Sequence, residues 1–219
     1  GGGFGPANGM ASNLIRALAK RSVRDLTVVG NGPGRGRQQY GRTQSGAVRK
    51  TPPNYDDGGL LVENGQVRKA ICAFPGTQMP GLVSIVHQKI AAGELEIELV
   101  PQGTLAERIR AAKAGIPAFY SPVGVDTLIE QGKETRIIAG RKYILEYAIK
   151  ADFALIRAHK ADRWGNLVYQ GTSRNFNAVM AGAARITIAE VDELVPLGAL
   201  DPEAIVTPSI YVDRIVTRQ

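Results

Sequence analysis

The run Pro101–Arg108 combines residue types and spacing that suit the binding of an anion. Upstream of it, Leu95–Val100 alternates apolar and charged residues, which predicts a strand that the proline and glycine of the run then end. Thr104 followed by Glu107 matches a capping box, which predicts that a helix begins there. This junction would present the amide of Gln102 and several backbone N–H groups to one space, where they could stabilise an anion or oxyanion. A plain strand-to-helix connection is the alternative that these residues leave open.

Other residues with reactive side chains fit a structural role better. Cys72 lies in an apolar strand pattern, which is typical of a buried core thiol. Ser173 lacks the Gly-x-Ser-x-Gly context of a nucleophile, and His159 is a lone histidine after a strand. The glycine turns near Gly3 and Gly32 lack the spacing of a nucleotide-binding loop. No pair of carboxylates stands out as a general acid and base.

Glu63 is the one carboxylate with a suggestive context, because Asn64 and Gly65 follow it. A glutamate on such a turn could act as a carboxylate nucleophile. Asn-Gly is also a common hairpin turn, which would here join Leu60–Val62 to the strand that begins at Val67. The residues alone do not separate the two interpretations.

Bulk composition places the chain among globular proteins of a reducing compartment. It has 219 residues, 44% of them hydrophobic, which is enough for a substantial core. No apolar run approaches the roughly 18 residues of a membrane span, and no basic-then-apolar stretch resembles a signal peptide. The single cysteine, Cys72, excludes an internal disulfide framework, so we expect a cytoplasmic protein. With only His87 and His159, we expect no metal site.

The net charge of +7 is concentrated in one segment. Between Gly30 and Tyr55 there is no acidic residue, and the segment holds five cations: Arg35, Arg37, Arg42, Arg49 and Lys50. The charge is therefore a property of one loop rather than of a broad basic face, and we expect no nucleic-acid partner. Salt-sensitive DNA binding that disappears on deletion of the loop would reverse that expectation.

The elements that would position these residues alternate along the chain. Strands are predicted at Leu26–Val29, Val67–Phe74, Leu95–Val100, Ala118–Tyr120, Phe153–Ala158 and Ile186–Val191. Helices are predicted at Ser12–Leu18 with a capped start, at Leu82–Ala92, from Thr104 onward and at Asn177–Ala184, and a hairpin at Gly140–Ile144. This alternation predicts an α/β fold, three-layer α/β/α with a mainly parallel open sheet, in a single domain over residues 1–219. The Arg/Gly-rich stretch at about 32–58 reads as an exposed loop insertion in that domain.

From about Gly59 to the end, a dense series of segments follows the order of one family. They are Leu60–Lys69, Gly93–Glu96, Pro101–Arg110, Gly115–Tyr120, Gly132–Arg136, Ala151–Leu155, Lys160–Arg163, Gly165–Leu167, Arg174–Phe176 and Ile210–Arg214, with Gly2–Gly5 near the start. On these segments the chain resembles the A-type chain of the two-subunit 3-oxoacid CoA-transferases. That group includes the succinyl-CoA:acetoacetate and 3-oxoadipate enzymes.

The resemblance implies a division of labour between two chains. In this family the acyl-CoA is attacked by a glutamate of the B subunit, and the reaction proceeds through an anhydride and a glutamyl-CoA thioester. Glu63 falls at a position of the A-type pattern that is not catalytic. The resemblance therefore implies a B subunit for a partner, a hetero-oligomer of A and B chains, acyl-CoA and 3-oxo acid substrates, and no metal or bound organic cofactor.

By the same match, this chain would supply part of the substrate pocket, with Gln102 next to the reacting acyl group. The positions implied to bind substrate are Gly3, Phe4, Gly5, Asn31, Gln102 and Gly103. One departure concerns Gly30–Gly34, which stands where the family has Ser-Asn-Asn-Ala-Gly, so the second asparagine is lost. The alternative function is thus a protein of the same fold that has lost transferase activity and serves in binding or regulation.

The acceptor is suggested by the segment His159–Leu167, which looks closer to the 3-oxoadipate enzymes than to the acetoacetate ones. A dicarboxylate acceptor would use an additional cation, which His159, Arg163 or an arginine of the insertion could provide. The expectation is a slight preference for 3-oxoadipate.

Overall fold

The computed structural model describes residues 1–3, 9–36, 40–42, 48–49, 56–75 and 84–218. In this part of the chain, the α-helices are α1 Ser12–Ala19, α2 Gly59–Glu63, α3 Ile85–Ala91, α4 Gln102–Lys113 and α5 Asn175–Met180. The strands are β1 Leu26–Gly30, β2 Tyr40–Arg42, β3 Val48–Arg49, β4 Val67–Cys72, β5 Glu96–Leu99, β6 Ala118–Ser121, β7 Thr135–Ile138, β8 Arg141–Tyr147, β9 Ala151–Asp162, β10 Leu167–Val168, β11 Ala184–Val195 and β12 Arg214–Thr217.

The first sheet is parallel, with β4 between β1 and β5. Its strands end in step, because Gly30 pairs with Cys72 and Cys72 pairs with Leu99. The residues that leave these strands, including Asn31, therefore start from the same edge of the sheet. Ligands of open α/β sheets bind at this carboxyl edge.

The second sheet contains β9, β11 and β12 as parallel strands, with β10 antiparallel to the end of β9. Residues at the start of the chain lie between the two sheets. The nitrogen of Gly1 is 2.8 Å from the carbonyl oxygen of Val29 in β1, and the amide of Gly2 donates to the carbonyl of Leu155 in β9 at 3.1 Å. Hydrogen bonds thus connect the two sheets through Gly1 and Gly2.

Helices pack on both faces of the first sheet. Val28 and Ala70 contact the core formed with α1, α2 and α3, whereas their neighbours Val29 and Ile71 contact the core formed with α4 and α5. Successive side chains of a strand point to opposite faces, so the sheet lies between two helical layers. The predicted α/β fold is confirmed.

A third sheet departs from the predicted parallel arrangement. In it, β8 pairs with β6 and β7, both antiparallel, and the predicted hairpin at Gly140–Ile144 is confirmed as the β7–β8 turn and the start of β8. This sheet is joined to α4 through Arg108, whose Nε donates to the carbonyl of Tyr147 at 2.7 Å and whose carbonyl accepts from the amide of Ile149 at 2.9 Å.

The stretch from Gly30 to Gly59 is not simply an exposed loop, as the sequence predicted. It contains the short hairpin of β2 and β3, and its two ends are held together by Asp57, whose residue surface is only 3% exposed. The Asp57 carboxylate accepts from the backbone amides of Arg35 at 2.9 Å, Gly36 at 3.0 Å and Gly59 at 2.9 Å. A buried carboxylate that closes a loop in this way cannot be recognised from composition.

Two predicted turns have a different form. Leu60–Val62 is helical, and Asn64 ends α2 by donating its amide to the carbonyl of Leu60 at 3.1 Å, so the Asn-Gly pair is a helix end and not a hairpin turn. Gly65 follows with a φ of +64°, which favours glycine. Ser12 is the first residue of α1 rather than its cap, and its hydroxyl donates to the carbonyl of Asp56.

The remaining helices differ only in their bounds. Helix α3 begins at Ile85 after Ser84, which caps it by accepting from the amide of His87, and the predicted start at Leu82 lies outside the described residues. Helix α5 begins before the predicted Asn177 and ends at Met180. No helix in the described ranges is long and apolar enough to cross a membrane.

Candidate active site

Gln102 is the first residue of α4 and lies directly after β5. The backbone of Pro101 is extended, with ψ of 135°, and its carbonyl accepts from the amide of Leu105 at 2.8 Å, so the helix starts at Gln102. The predicted capping box is therefore wrong, because Thr104 is already inside the first turn and caps nothing. Its side chain points inward: the residue is 3% exposed, and its Oγ1 has no hydrogen-bond partner among the described residues.

Asn31 contacts Gln102 across the carboxyl edge of the first sheet. The Nε2 of Gln102 donates to the Oδ1 of Asn31 at 2.5 Å. The backbone of Asn31 is itself held in place, since its carbonyl accepts from the amide of Ala73 at 3.0 Å. Gln102 is exposed, and this contact restricts a side chain that would otherwise sample many rotamers. The second N–H of its Nε2 has no partner in the described part of the chain.

Backbone donors lie beside this pair of amides. Helix α4 has 12 residues, and the first N–H groups of such a helix have no partner within it. Gly103, the second residue of α4, is exposed, and a Cβ built on it would meet no atom within 4 Å. The helix dipole favours negative charge at this end. The space next to Gln102 and Gly103 is therefore open and surrounded by hydrogen-bond donors.

The electrostatic character of the pair is neutral. Among the described residues, no charged side chain forms a hydrogen bond or ion pair with Gln102 or Asn31. The nearest charged residue of β5 in sequence, Glu98, pairs with Arg108 at 2.9 Å and with Lys69 at 3.0 Å. Burial opposes its ionisation, but these two cations keep the pKa of Glu98 below its ordinary value. Glu98 is thus ionised and neutralised by partners of its own.

The glycine turn approaches this edge from the side of β1. The amide of Gly3 donates to the Oδ1 of Asn175 at 3.1 Å, and a Cβ on Gly30 would lie 3.3 Å from the carbonyl oxygen of Gly1. The start of the turn is thus next to the residue that precedes Asn31. Phe4 and Gly5, which the resemblance also assigns to substrate binding, lie outside the described residues.

Other residues considered from the sequence are not part of this arrangement. Cys72 is buried, as predicted, and burial raises the pKa of its thiol to about 11, so it is not a thiolate at neutral pH. Glu63 ends α2 and lies against Gly36. His159 pairs through Nδ1 with Asp192 at 3.4 Å. None of these side chains has a hydrogen bond or ion pair with Gln102 in the described residues.

Two asparagines near the site were not recognised from the sequence. Asn175 holds Gly3, and Asn177 is completely buried and donates to the carbonyl of Gly9 at 2.8 Å. The sequence marked Asn177 only as a helix start. The available signal was the placement of two asparagines two residues apart, one of them within the matched segment Arg174–Phe176.

The family to which the fold and this edge belong is decided by comparison with known proteins. The family model described as Coenzyme A transferase matches residues 1–218. The chain belongs to the coenzyme A transferase family. It is similar to the A-type chain of the 3-oxoadipate CoA-transferase of Pseudomonas putida, with 48% identity over 215 residues, which are 98% of this chain and 84% of that protein.

A second relative of this CoA-transferase chain carries a different substrate in its name. It is the A-type chain of a probable succinyl-CoA:3-ketoacid coenzyme A transferase of Bacillus subtilis, 45% identical over 217 residues, covering 98% of this chain and 80% of that protein. Among solved structures, the acyl-CoA transferase of E. coli O157:H7 in its thioester complex with CoA superposes with a TM-score of 0.74 at 22% identity. This match covers 95% of the present chain and 41% of the E. coli chain, and it confirms the CoA-transferase-like fold.

Proposed function

We propose that this protein is the A-type chain of a 3-oxoacid CoA-transferase, which moves CoA from an acyl-CoA such as succinyl-CoA to a 3-oxo acid. The observation that carries the proposal is the pair of Gln102 and Asn31 at the start of α4, where neutral donors converge on open space. The names of the relatives from P. putida and B. subtilis support the same substrate class.

The nucleophile in this proposal comes from a B subunit. Among the described residues, no carboxylate contacts Gln102 or Asn31, so this part of the chain does not supply an obvious nucleophile of its own. The E. coli structure supports a second unit, because this chain spans only 41% of that longer chain. The functional assembly is then a hetero-oligomer of A and B chains.

The reaction begins when the B subunit's glutamate carboxylate attacks the thioester carbonyl of the acyl-CoA. The CoA thiolate leaves, and an acyl–glutamyl anhydride forms. The thiolate then attacks the glutamyl carbonyl, which gives the glutamyl-CoA thioester and releases the donor acid as a carboxylate. The 3-oxo acid carboxylate attacks this thioester, and the same two steps in reverse pass CoA to the new acyl group.

Each attack places negative charge on a carbonyl oxygen, and this chain would stabilise that charge. The second N–H of Gln102 and the backbone N–H groups at Gly103 are the donors that we assign to this oxygen. A neutral amide is suited to the task because it donates without forming a lasting ion pair with the nearby glutamate. Removal of one such donor typically costs about 3 kcal/mol of transition-state stabilisation.

We place 3-oxoadipate ahead of acetoacetate as the acceptor. The P. putida relative is named for 3-oxoadipate, and the segment His159–Leu167 resembles that group. Of the two cations in this segment considered for the second carboxylate, His159 is engaged with Asp192, whereas Arg163 is exposed and makes no ion pair within the described residues. Arg163 is the better candidate.

Reconstitution tests the proposal. The purified chain is mixed with its cognate B subunit, and CoA transfer from succinyl-CoA is measured with 3-oxoadipate or acetoacetate as acceptor. We expect transfer by the mixture, none by either protein alone, and a higher kcat/KM for 3-oxoadipate. A stable complex without transfer to either acid would instead support a binding or regulatory protein. A higher kcat/KM for acetoacetate would refute the acceptor assignment alone.

A further inference from the structure

Asn177 occupies a completely buried position at the start of α5. Its Nδ2 donates to the carbonyl of Gly9 at 2.8 Å and to the carbonyl of Ser173 at 2.8 Å, and its Oδ1 accepts from the amide of Arg157 at 3.0 Å. The side chain therefore connects three separate segments of backbone. A buried amide with both ends satisfied in this way is rigid, because any rotation leaves a polar group without a partner.

Asn175 makes the corresponding contact at the other end of the glycine turn. Its Oδ1 accepts from the amide of Gly3 at 3.1 Å, and its Nδ2 donates to the carbonyl of Thr172 at 3.0 Å. Gly3 begins the turn and Gly9 ends it, so two asparagines, two residues apart, hold both of its ends. We call this pair the asparagine clamp.

The glycines fit the clamp closely. A Cβ on Gly2 would lie 1.8 Å from the Oδ1 of Asn177, and a Cβ on Gly9 would lie 2.6 Å from its Nδ2. Gly3 and Gly9 also have φ values of +105° and +82°, which residues with a side chain rarely adopt. The glycines of this turn are thus required by the approach of the clamp and by the backbone, and not only by a ligand.

We propose that Asn175 and Asn177 are positioning residues for CoA transfer, because they fix the glycine turn that borders the site of Gln102 and Asn31. The inference rests on the proposed function, in which this turn lines the acyl pocket. The clamp sets the backbone of the turn before the substrate arrives, so no ordering is needed in the transition state. Neither asparagine touches the reacting atoms.

Two variants test the two ends of the clamp, Asn175→Ala for Gly3 and Asn177→Ser for Gly9. Asn64→Ala is the matched control: its amide donates to the carbonyl of Ala19 and to Gln66, and it has no contact with the turn. In the complex with the B subunit, we expect Asn175→Ala to lower kcat about 10- to 100-fold, because a small misplacement of a site has effects of that order. The KM for acyl-CoA should change by less than about threefold, since the clamp does not bind substrate.

Amide hydrogen exchange provides a readout that does not depend on transferase activity. In the isolated chain, Asn175→Ala should increase exchange of the Gly3 amide at least about tenfold, because that amide loses its acceptor, while Asn64→Ala leaves it unchanged. Asn177→Ser should do the same for the turn at Gly9; if this buried variant does not fold, Asn175→Ala decides.

Three results would overturn the inference: unchanged exchange at Gly3, an unchanged kcat despite faster exchange, or a KM effect equal to the kcat effect. A wild-type pair that transfers no CoA would refute the proposed function instead, and the exchange measurement would still decide whether the clamp holds the turn.

Discussion

Replacement of Gly103 by alanine has opposite expected effects on stability and on activity. Gly103 is the second residue of α4, and its φ is not in the left-handed region. A Cβ at this position meets nothing within 4 Å in the chain itself. The new methyl group therefore causes no strain in the isolated chain, and it projects into the open space that we assign to the acyl group.

The two effects have calculable sizes. Alanine in place of glycine within a helix stabilises by about 0.5–1 kcal/mol, with the lower value apt at a helix start. For a chain of this length, that raises Tm by about 1–4 °C. An extra methyl group in a filled site costs about 1–3 kcal/mol, so kcat/KM should fall about 5- to 150-fold.

Thermal unfolding of the isolated chain and steady-state transfer by the complex measure the two effects. The control is Arg110→Ala, seven residues along the same helix, which removes only an exposed pair with Glu107. It should leave transfer unchanged. If Gly103→Ala transferred CoA at the wild-type rate, the space beside Gln102 would not hold substrate. If it lowered Tm instead, the glycine would have a structural role that the geometry does not show.

Three further predictions concern buried polar groups. Thr104→Val should leave the free energy of unfolding unchanged or raise it by up to about 1 kcal/mol, because the lost hydroxyl has no partner in the described residues, whereas a capping threonine would cost about 1 kcal/mol. Asp57→Ala should lower it by about 3 kcal/mol in urea titrations, because three backbone amides lose their acceptor. Burial opposes the ionisation of Asp162, but donors led by Asn166 keep its pKa below the ordinary value of 3.8. Its stabilisation is complete above pH 3.8 and is lost as the pH falls through the lower folded value, so Asp162→Asn should reduce the loss of stability in acid.

The strand and helix around Gln102 could be predicted from the sequence because their signals are local. The alternation over Leu95–Val100 and the proline and glycine after it depend on neighbouring residues only. The start of α4 could not be placed correctly, because Thr104 and Glu107 satisfy the pattern of a capping box while Pro101 begins the helix earlier. Whether a threonine caps a helix or faces the core depends on packing against distant segments.

The contact of Asn31 with Gln102 could not be predicted from residue spacing, since 71 positions separate them. It depends on the register that aligns the ends of β1, β4 and β5. The resemblance to the CoA-transferases did place both residues in one cleft. The same limit applies to the asparagine clamp, in which Asn175 reaches Gly3 from 172 positions away. The assignment of all these residues to substrate binding stays a prediction.

Gln102→Ala in a purified complex with the B subunit is the most direct test of the proposed chemistry. Gln102 is exposed, so the variant should assemble and unfold like the wild type. Its kcat should fall about a hundredfold, because the transition state loses one donor to the oxyanion. Gln88→Ala, the same change at an exposed position of α3, should transfer CoA at the wild-type rate. An assembled Gln102→Ala complex with unchanged kcat would contradict the role of Gln102 in CoA transfer.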